Sequence, residues 1–146
     1  MTINFEPVGS FQGVQGEPQT INNPTSIQFG ADGRLYVAEQ NGTINAFTIE
    51  LQNGAYIAVS NEVLVLSNVA EVVKSIQNHN DDGSLSDEEN RQVTGLVVTG
   101  TATNPVLYIS SSDPRIATFV DTNLDTNSGV VTRVTWNGTE WEAVDI

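Results

Sequence analysis

The sequence predicts an all-β protein containing two four-stranded antiparallel meanders. Three observations carry this: turn dipeptides at short intervals, β-rich runs between them, and a second occurrence of the same four-run pattern further along the chain. Asn41-Gly42, Asn53-Gly54 and Asn137-Gly138 are each suited to positive φ at both central positions of a type I′ hairpin, and Asp32-Gly33 marks a further turn. Between these turns, Thr25 to Phe29, Arg34 to Gln40, Thr43 to Leu51 and Ala55 to Ser67 read as four consecutive strands. Leu35-Tyr36-Val37-Ala38 is apolar without a break, whereas a strand with one wet face alternates, so this sheet is expected to be covered on both sides.

One meander cannot cover both of its own faces, and a second copy is present. Thr25-Ser26-Ile27-Gln28-Phe29 matches Thr94-Gly95-Leu96-Val97-Val98, Arg34-Leu35-Tyr36-Val37 matches Val106-Leu107-Tyr108-Ile109, and Gly42-Thr43-Ile44-Asn45 matches Gly129-Val130-Val131-Thr132. The Asn53-Gly54 turn has its counterpart in Asn137-Gly138. The offset grows from 69 (27 to 96) through 72 (35 to 107) to 87 (44 to 131), so strands repeat while loops lengthen. Repeated four-strand meanders with variable loops are the signature of β-propeller blades. The division is then 1–22 as lead-in with a ring-closing strand at Thr2 to Val8, 23–67 as first blade, 68–92 as inter-blade loop, and 93–146 as second blade with a long insertion at 111–128.

Composition narrows the function classes. The 146 residues suit one ordinary domain, and 5 Lys+Arg against 18 Asp+Glu give a formal net charge of -13, which repels phosphate backbones and anionic membrane surfaces. No nucleic-acid partner and no membrane association are expected. The absence of Cys removes disulfides, thiolate metal sites and Cys nucleophiles. The start, Met1 to Glu6, lacks the basic and apolar regions of a secretory signal. Either the chain stays in the cytoplasm or a signal has been removed, and the low Lys content with abundant Asn, Thr, Ser and Gly points to the extracellular or periplasmic alternative.

Asn23 to Ala38, with its Pro-x-x-hydrophobic-x-hydrophobic core and Asp32-Gly33 turn, resembles an opening blade of the glucose/sorbosone dehydrogenase family of six-bladed β-propellers. Asn90-Arg91-Gln92-Val93-Thr94-Gly95-Leu96 and Ser111-Ser112-Asp113-Pro114-Arg115-Ile116 are similar to segments of large bacterial members of that family. The resemblance implies two of six blades plus an extra N-terminal strand, and aldose oxidation with pyrroloquinoline quinone (PQQ) held by calcium. It implies no site here: the family's catalytic His lies in a strand-flanked motif without a counterpart, and the only His, His79, sits in an Asn/Asp loop. The chain also ends inside an apparent strand, as a fragment would. The expectation is a part or protomer of such a propeller, catalytically incomplete alone; the alternative is a non-catalytic extracellular module stabilised by calcium.

Asn78 to Glu89 carries the strongest chemical signal. Calcium takes six to eight oxygens, and a twelve-residue loop supplies them from positions 1, 3, 5, 7, 9 and 12 with Gly at 6. Those positions hold Asn78, Asn80, Asp82, Ser84, Ser86 and Glu89, with Gly83 at the bend. Val69, Val72, Val73 and Ile76 have helical spacing before the loop, while Val93 onward reads as a strand rather than an exiting helix. A solvated acidic loop is the other reading. Asp113, Arg115, Asp121 and Asp125 either line a polar pocket or belong to a solvated loop, and Ser111 has no companion base. Trp136 and Trp141 flank a turn, placed to stack on sugar rings or on each other.

Two stacked blades leave one outer face each. With Leu35 to Ala38 apolar on both sides, the free face of the first is expected to be a greasy patch. Head-to-tail contacts that close into a ring then give a homo-oligomer, with three two-blade chains completing six blades.

Overall fold

The computed structural model describes residues 21–53, 55–65, 77–79, 85–113 and 129–146. These form ten strands: β1 Pro24–Phe29, β2 Arg34–Glu39, β3 Thr43–Gln52, β4 Ala55–Val65, β5 Gln77–His79, β6 Leu85–Asn90, β7 Gln92–Gly100, β8 Pro105–Ser112, β9 Gly129–Trp136 and β10 Trp141–Asp145. They pair antiparallel as a β1-β2-β3-β4 meander, a β7-β8-β9-β10 meander and a β5-β6 hairpin. Among the described residues there is no helix. Thr2 to Val8 lies outside them, as do Val69, Val72, Val73 and Ile76.

The ladders reproduce the repeat residue for residue. In the first sheet Ile27 pairs with Val37 and Val37 with Asn45; in the second Leu96 pairs with Ile109 and Ile109 with Thr132. The neighbouring row is Phe29, Leu35 and Phe47 in one and Val98, Leu107 and Val134 in the other. Side chains alternate between faces along a strand, so equivalent residues occupy equivalent faces.

The sheets stack face to back. Tyr36, Ala38, Ile44 and Ala46 of the first pack with Val93, Leu96, Val98, Leu107, Ile109 and Val134 of the second in one buried core. The residues in the first set come from one face of their sheet, and their repeat equivalents in the second sheet lie on the face turned away. Gln28 reaches across the seam: its Nε2 donates to the Val98 carbonyl (3.0 Å) and its Oε1 accepts from the Val98 N–H (2.9 Å). Its amide thus fills the place of a peptide group on the open edge of β7. Gln28→Ala would leave both Val98 groups without these partners, so a loss of about 1–3 kcal/mol is expected in urea unfolding. A variant as stable as the parent would show that water replaces the side chain at no cost.

Three expectations need correction. The opposite face of the first sheet is not a greasy patch throughout: Leu35, Val37 and Phe47 are buried and pack with half-buried Ile21 and Ile49. Nor are the turns at Asn41 and Asn137 of type I′, because only Gly42 (φ 92°) and Gly138 (φ 102°) are left-handed there. Each Asn instead uses its side chain as an acceptor, Asn41 Oδ1 from Thr43 N–H and Asn137 Oδ1 from Thr139 and Glu140 N–H, which favours a longer turn with one left-handed glycine. Finally, Ser111 and Ser112 belong to β8 rather than to the insertion, pairing with Val130 and Gly129.

Candidate functional site

Two ends of the stacked sheets differ in character. At one end are the short turns after β1, β7 and β9. At the other, β2 and β8 finish and β1 and β7 begin, and both long insertions leave the sheets there, after β4 and after β8. This second end is tied across the seam by a main-chain bond from Val93 N–H to Gln40 O (3.1 Å), while Gln40 N–H to Asn23 O (3.0 Å) continues the β1–β2 pairing within the first sheet.

Buried polar groups collect at the insertion end. Glu39 Oε1 accepts from Asn45 Nδ2 (3.1 Å), both side chains lying within the fold. Just before the second sheet begins, buried Arg91 donates through Nε to Ser111 Oγ (3.1 Å) and through Nη2 to Ser111 O (3.4 Å). Ser111 and Thr132 hold the positions in the second repeat that Glu39 and Asn45 hold in the first. Thr132 Oγ1 in turn donates to Asp145 Oδ1 (2.7 Å). Among the described residues, the Ser111 hydroxyl accepts from the Arg91 guanidinium, a contact that holds the Ser111 oxygen against a positive charge.

The short-turn end holds an open cleft of about 460 Å³, lined by Asp32, Gly33, Arg34, Thr48, Ala102, Thr103, Pro105, Trp136 and Trp141. The Asp32-Gly33 turn closes through Gly33 N–H to Gly30 O, and Gly33 takes φ 78°. That turn holds Asp32 above Arg34 and Tyr36, which share a face two residues apart. Asp32 Oδ2 accepts from Arg34 Nε (2.7 Å) and from the Tyr36 hydroxyl (2.7 Å), while Arg34 Nη2 donates to the same hydroxyl (2.7 Å). Arg34 also lies 5.2 Å from the centroid of the Tyr36 ring, within cation–π reach. Burial works to raise the Asp32 carboxyl, but the bonds from Tyr36 and Arg34 and the nearby positive charge outweigh it and hold it below the ordinary value. The Tyr36 phenol is pushed up, first by burial and then by its bond to Asp32.

A depressed carboxylate stabilises the fold above its unfolded value of about 3.9, and that contribution is lost as pH falls through the folded value. Asp32→Asn is therefore expected to cost roughly 1 kcal/mol at neutral pH and to flatten the acid limb of the stability curve below about pH 4. An acid limb identical to the parent's would show that the group contributes nothing to acid sensitivity.

On the opposite wall Trp136 and Trp141 are a cross-strand pair, with ring centroids 5.7 Å apart at 63°. Of the two sequence readings, mutual packing is the one the structure displays, yet Trp136 remains 40% exposed. Glu142 Oε1 accepts from Asn137 Nδ2, fixing the loop below the rings.

The sequence-derived metal ligands are only partly placed. Asn78 lies on β5, Ser86 and Glu89 lie on β6, and Asn80, Asp82 and Ser84 fall outside the described residues. His79, beside Asn78, pairs with Leu85 across the hairpin. Among the described residues no three His, Cys, Asp or Glu side chains gather as a metal would require. Of the second-insertion group only Asp113 is described; Arg115, Asp121 and Asp125 are not. Sequence reasoning missed Glu39, Asn45 and Arg91 as a buried polar end. The available signal was Glu39 closing an unbroken apolar run. It also missed the Asp32–Arg34–Tyr36 network, although spacing of two along β2 places Arg34 and Tyr36 on one face below the Asp32 turn. Comparison with known proteins finds no matching family model, no matching curated protein and no matching solved structure.

Proposed function

We propose that the chain is two consecutive blades of a β-propeller of the glucose/sorbosone dehydrogenase kind, supplying scaffold and loops to a ring whose centre carries PQQ-linked aldose oxidation. The face-to-back stacking of register-matched meanders supports this reading more than any other single observation. An enzyme site in such a ring draws on several blades, so the chain alone is catalytically incomplete. The insertion end, with Arg91, Ser111 and Asp113, is its contribution to the site.

The test is titration of the chain with PQQ and calcium, followed by aldoses and a dye acceptor. Saturable quinone binding without turnover is the expected result. Turnover would show a complete centre within the chain, and no quinone binding would remove the link to dehydrogenases.

The cleft beside Trp136 favours a second reading, a non-catalytic extracellular binding module stabilised by calcium at Asn78 to Glu89. In that case Glu89→Ala and Asp82→Ala lower the melting temperature only when calcium is present, because a ligand that binds the folded state stabilises it by mass action. A parent melting temperature that is the same in calcium and in chelator would sink the calcium site.

A further inference from the structure

The cleft at the short-turn end is the mouth of the seam between the two sheets. Arg34 pairs with Thr48 on the face of the first sheet that carries Tyr36 and Ala46, and Trp136 pairs with Trp141 on the face of the second that carries Val134. Further in, these faces close on each other as the shared core; at Arg34 and Trp136 they part and leave about 460 Å³. Small-molecule sites occupy about 300–1,000 Å³. The two walls differ in chemistry. Trp141 packs on the core and meets Trp136 at 63°, so the indoles do not stack flat on each other, and Trp136, 40% exposed, keeps ring surface for a ligand. On the other wall Arg34 is pinned through Nε to Asp32 and through Nη2 to the Tyr36 hydroxyl. A carboxylate has about four acceptor positions. Among the described residues Asp32 uses three of them, one for Arg34 N–H at Oδ1 and two at Oδ2, and so keeps one at Oδ1. Gly30 makes room for this carboxylate, since a Cβ there would collide with Asp32 Oδ1.

We propose that this cleft binds a neutral pyranose of a β-linked glycan, with the C–H face of the ring on Trp136 and two adjacent hydroxyls on Asp32 and Arg34. This rests on the binding-module reading above and names its ligand. A pyranose with equatorial hydroxyls is apolar on its flat faces and polar around its rim, and the cleft is divided the same way between Trp136 and the Asp32–Arg34 pair. Each hydroxyl both donates and accepts, so neighbouring ones satisfy an acceptor and a donor held side by side. The pair is locked by its own bonds before a ligand arrives, which spares the cost of ordering it on binding. A proline-rich peptide would also suit the indole, but its carbonyls only accept and leave Asp32 without a donor. An acidic glycan meets a net charge of -13 and an Arg34 already paired with Asp32.

Titration of the isotope-labelled chain with cellotetraose, followed by NMR, is expected to shift the Trp136 indole N–H and the amides of Asp32 and Thr103 saturably, and to leave Ser111 at the other end unmoved. Trp136→Ala should weaken binding about tenfold or more, and Trp136→Phe, which keeps a flat ring, should restore part of it. Arg34→Lys should also weaken it, because an ammonium lacks the planar fork. Circular dichroism checks that each variant remains folded. The absence of saturable shifts overturns the proposal, as do shifts that survive Trp136→Ala. Tighter binding of decaproline overturns it in favour of a peptide groove, and tighter binding of polygalacturonate shows that Arg34 reads charge instead. If cellotetraose fails while calcium still raises the melting temperature, the binding-module reading stands and only its ligand falls.

Discussion

Leu107→Ala is expected to lower stability by about 2–5 kcal/mol. Leu107 is fully buried, pairs with Val98 on one side and Val134 on the other, and faces Tyr36 and Ile44 across the seam in the shared core. Removing its isobutyl end forfeits the transfer energy of the lost carbons and leaves a void that two hydrogen-bonded sheets cannot close without disturbing both ladders. Urea unfolding monitored by Trp fluorescence measures this, because both indoles sit on β9 and β10 beside the site. A loss below about 1 kcal/mol would mean that the sheets slide together to fill the space and that the seam is softer than a native core.

Gly100→Val should be nearly as severe, and more so than Gly42→Val. Both glycines are left-handed, at φ 85° and 92°, where a β-branched residue is strained by about 1–3 kcal/mol. They differ in space. A Cβ at Gly100 would collide with the Asn104 carbonyl oxygen and lie 3.0 Å from Val106 N, whereas at Gly42 the nearest atom is the Arg91 carbonyl oxygen at 3.7 Å. The turn at Gly100 is closed by reciprocal bonds between Thr101 and Asn104, so the obstructing carbonyl cannot swing away without breaking them. Thermal melts of the two variants side by side separate backbone strain, common to both, from collision, present only at Gly100. Equal losses would show that the 101–104 turn yields freely.

Much of the architecture was legible because the signals are local. The turn dipeptides and the β-rich runs between them set the strands of the first meander, and matched segments such as Thr25 to Phe29 against Thr94 to Val98 revealed the second, whereas the pairing of Ile27 with Val37 and of Leu96 with Ile109 comes from the ladders. What failed was turn geometry: an Asn-Gly pair is compatible with several turns, and the choice at Asn41 and Asn137 fell to their own side-chain carbonyls. The unbroken apolar run Leu35 to Ala38 marked a sheet covered on both sides, and all four residues are buried; the expectation of a greasy outer patch failed because the cover comes from packing such as that of Ile21 and Ile49, which no local pattern marks. The candidate site was the least legible part. Arg91 and Ser111 stand 20 residues apart in sequence and meet only because β7 and β8 pair, and no periodic pattern marks such a meeting in advance.

The concentration of both long insertions at one end of the sheets has a consequence for how the protein can change over time. Closing an antiparallel pair depends only weakly on the length of chain outside it, at about 0.6 kcal/mol per doubling of a flexible loop. The step in offset from 72 to 87 between the repeats, taken up after β8, left the phase of the ladder intact and kept Thr132 beside Ile109. Segments leaving after β4 and β8 can therefore be lengthened, exchanged or shortened without retuning the packing around Leu107. The opposite end has no such latitude, since its four-residue turns are fixed by Gly100 and by the hydrogen bonds of Asn137. Variation in recognition or chemistry among descendants of this chain would accumulate at one pole of the molecule, and foreign peptides engineered into it should be tolerated at that pole alone.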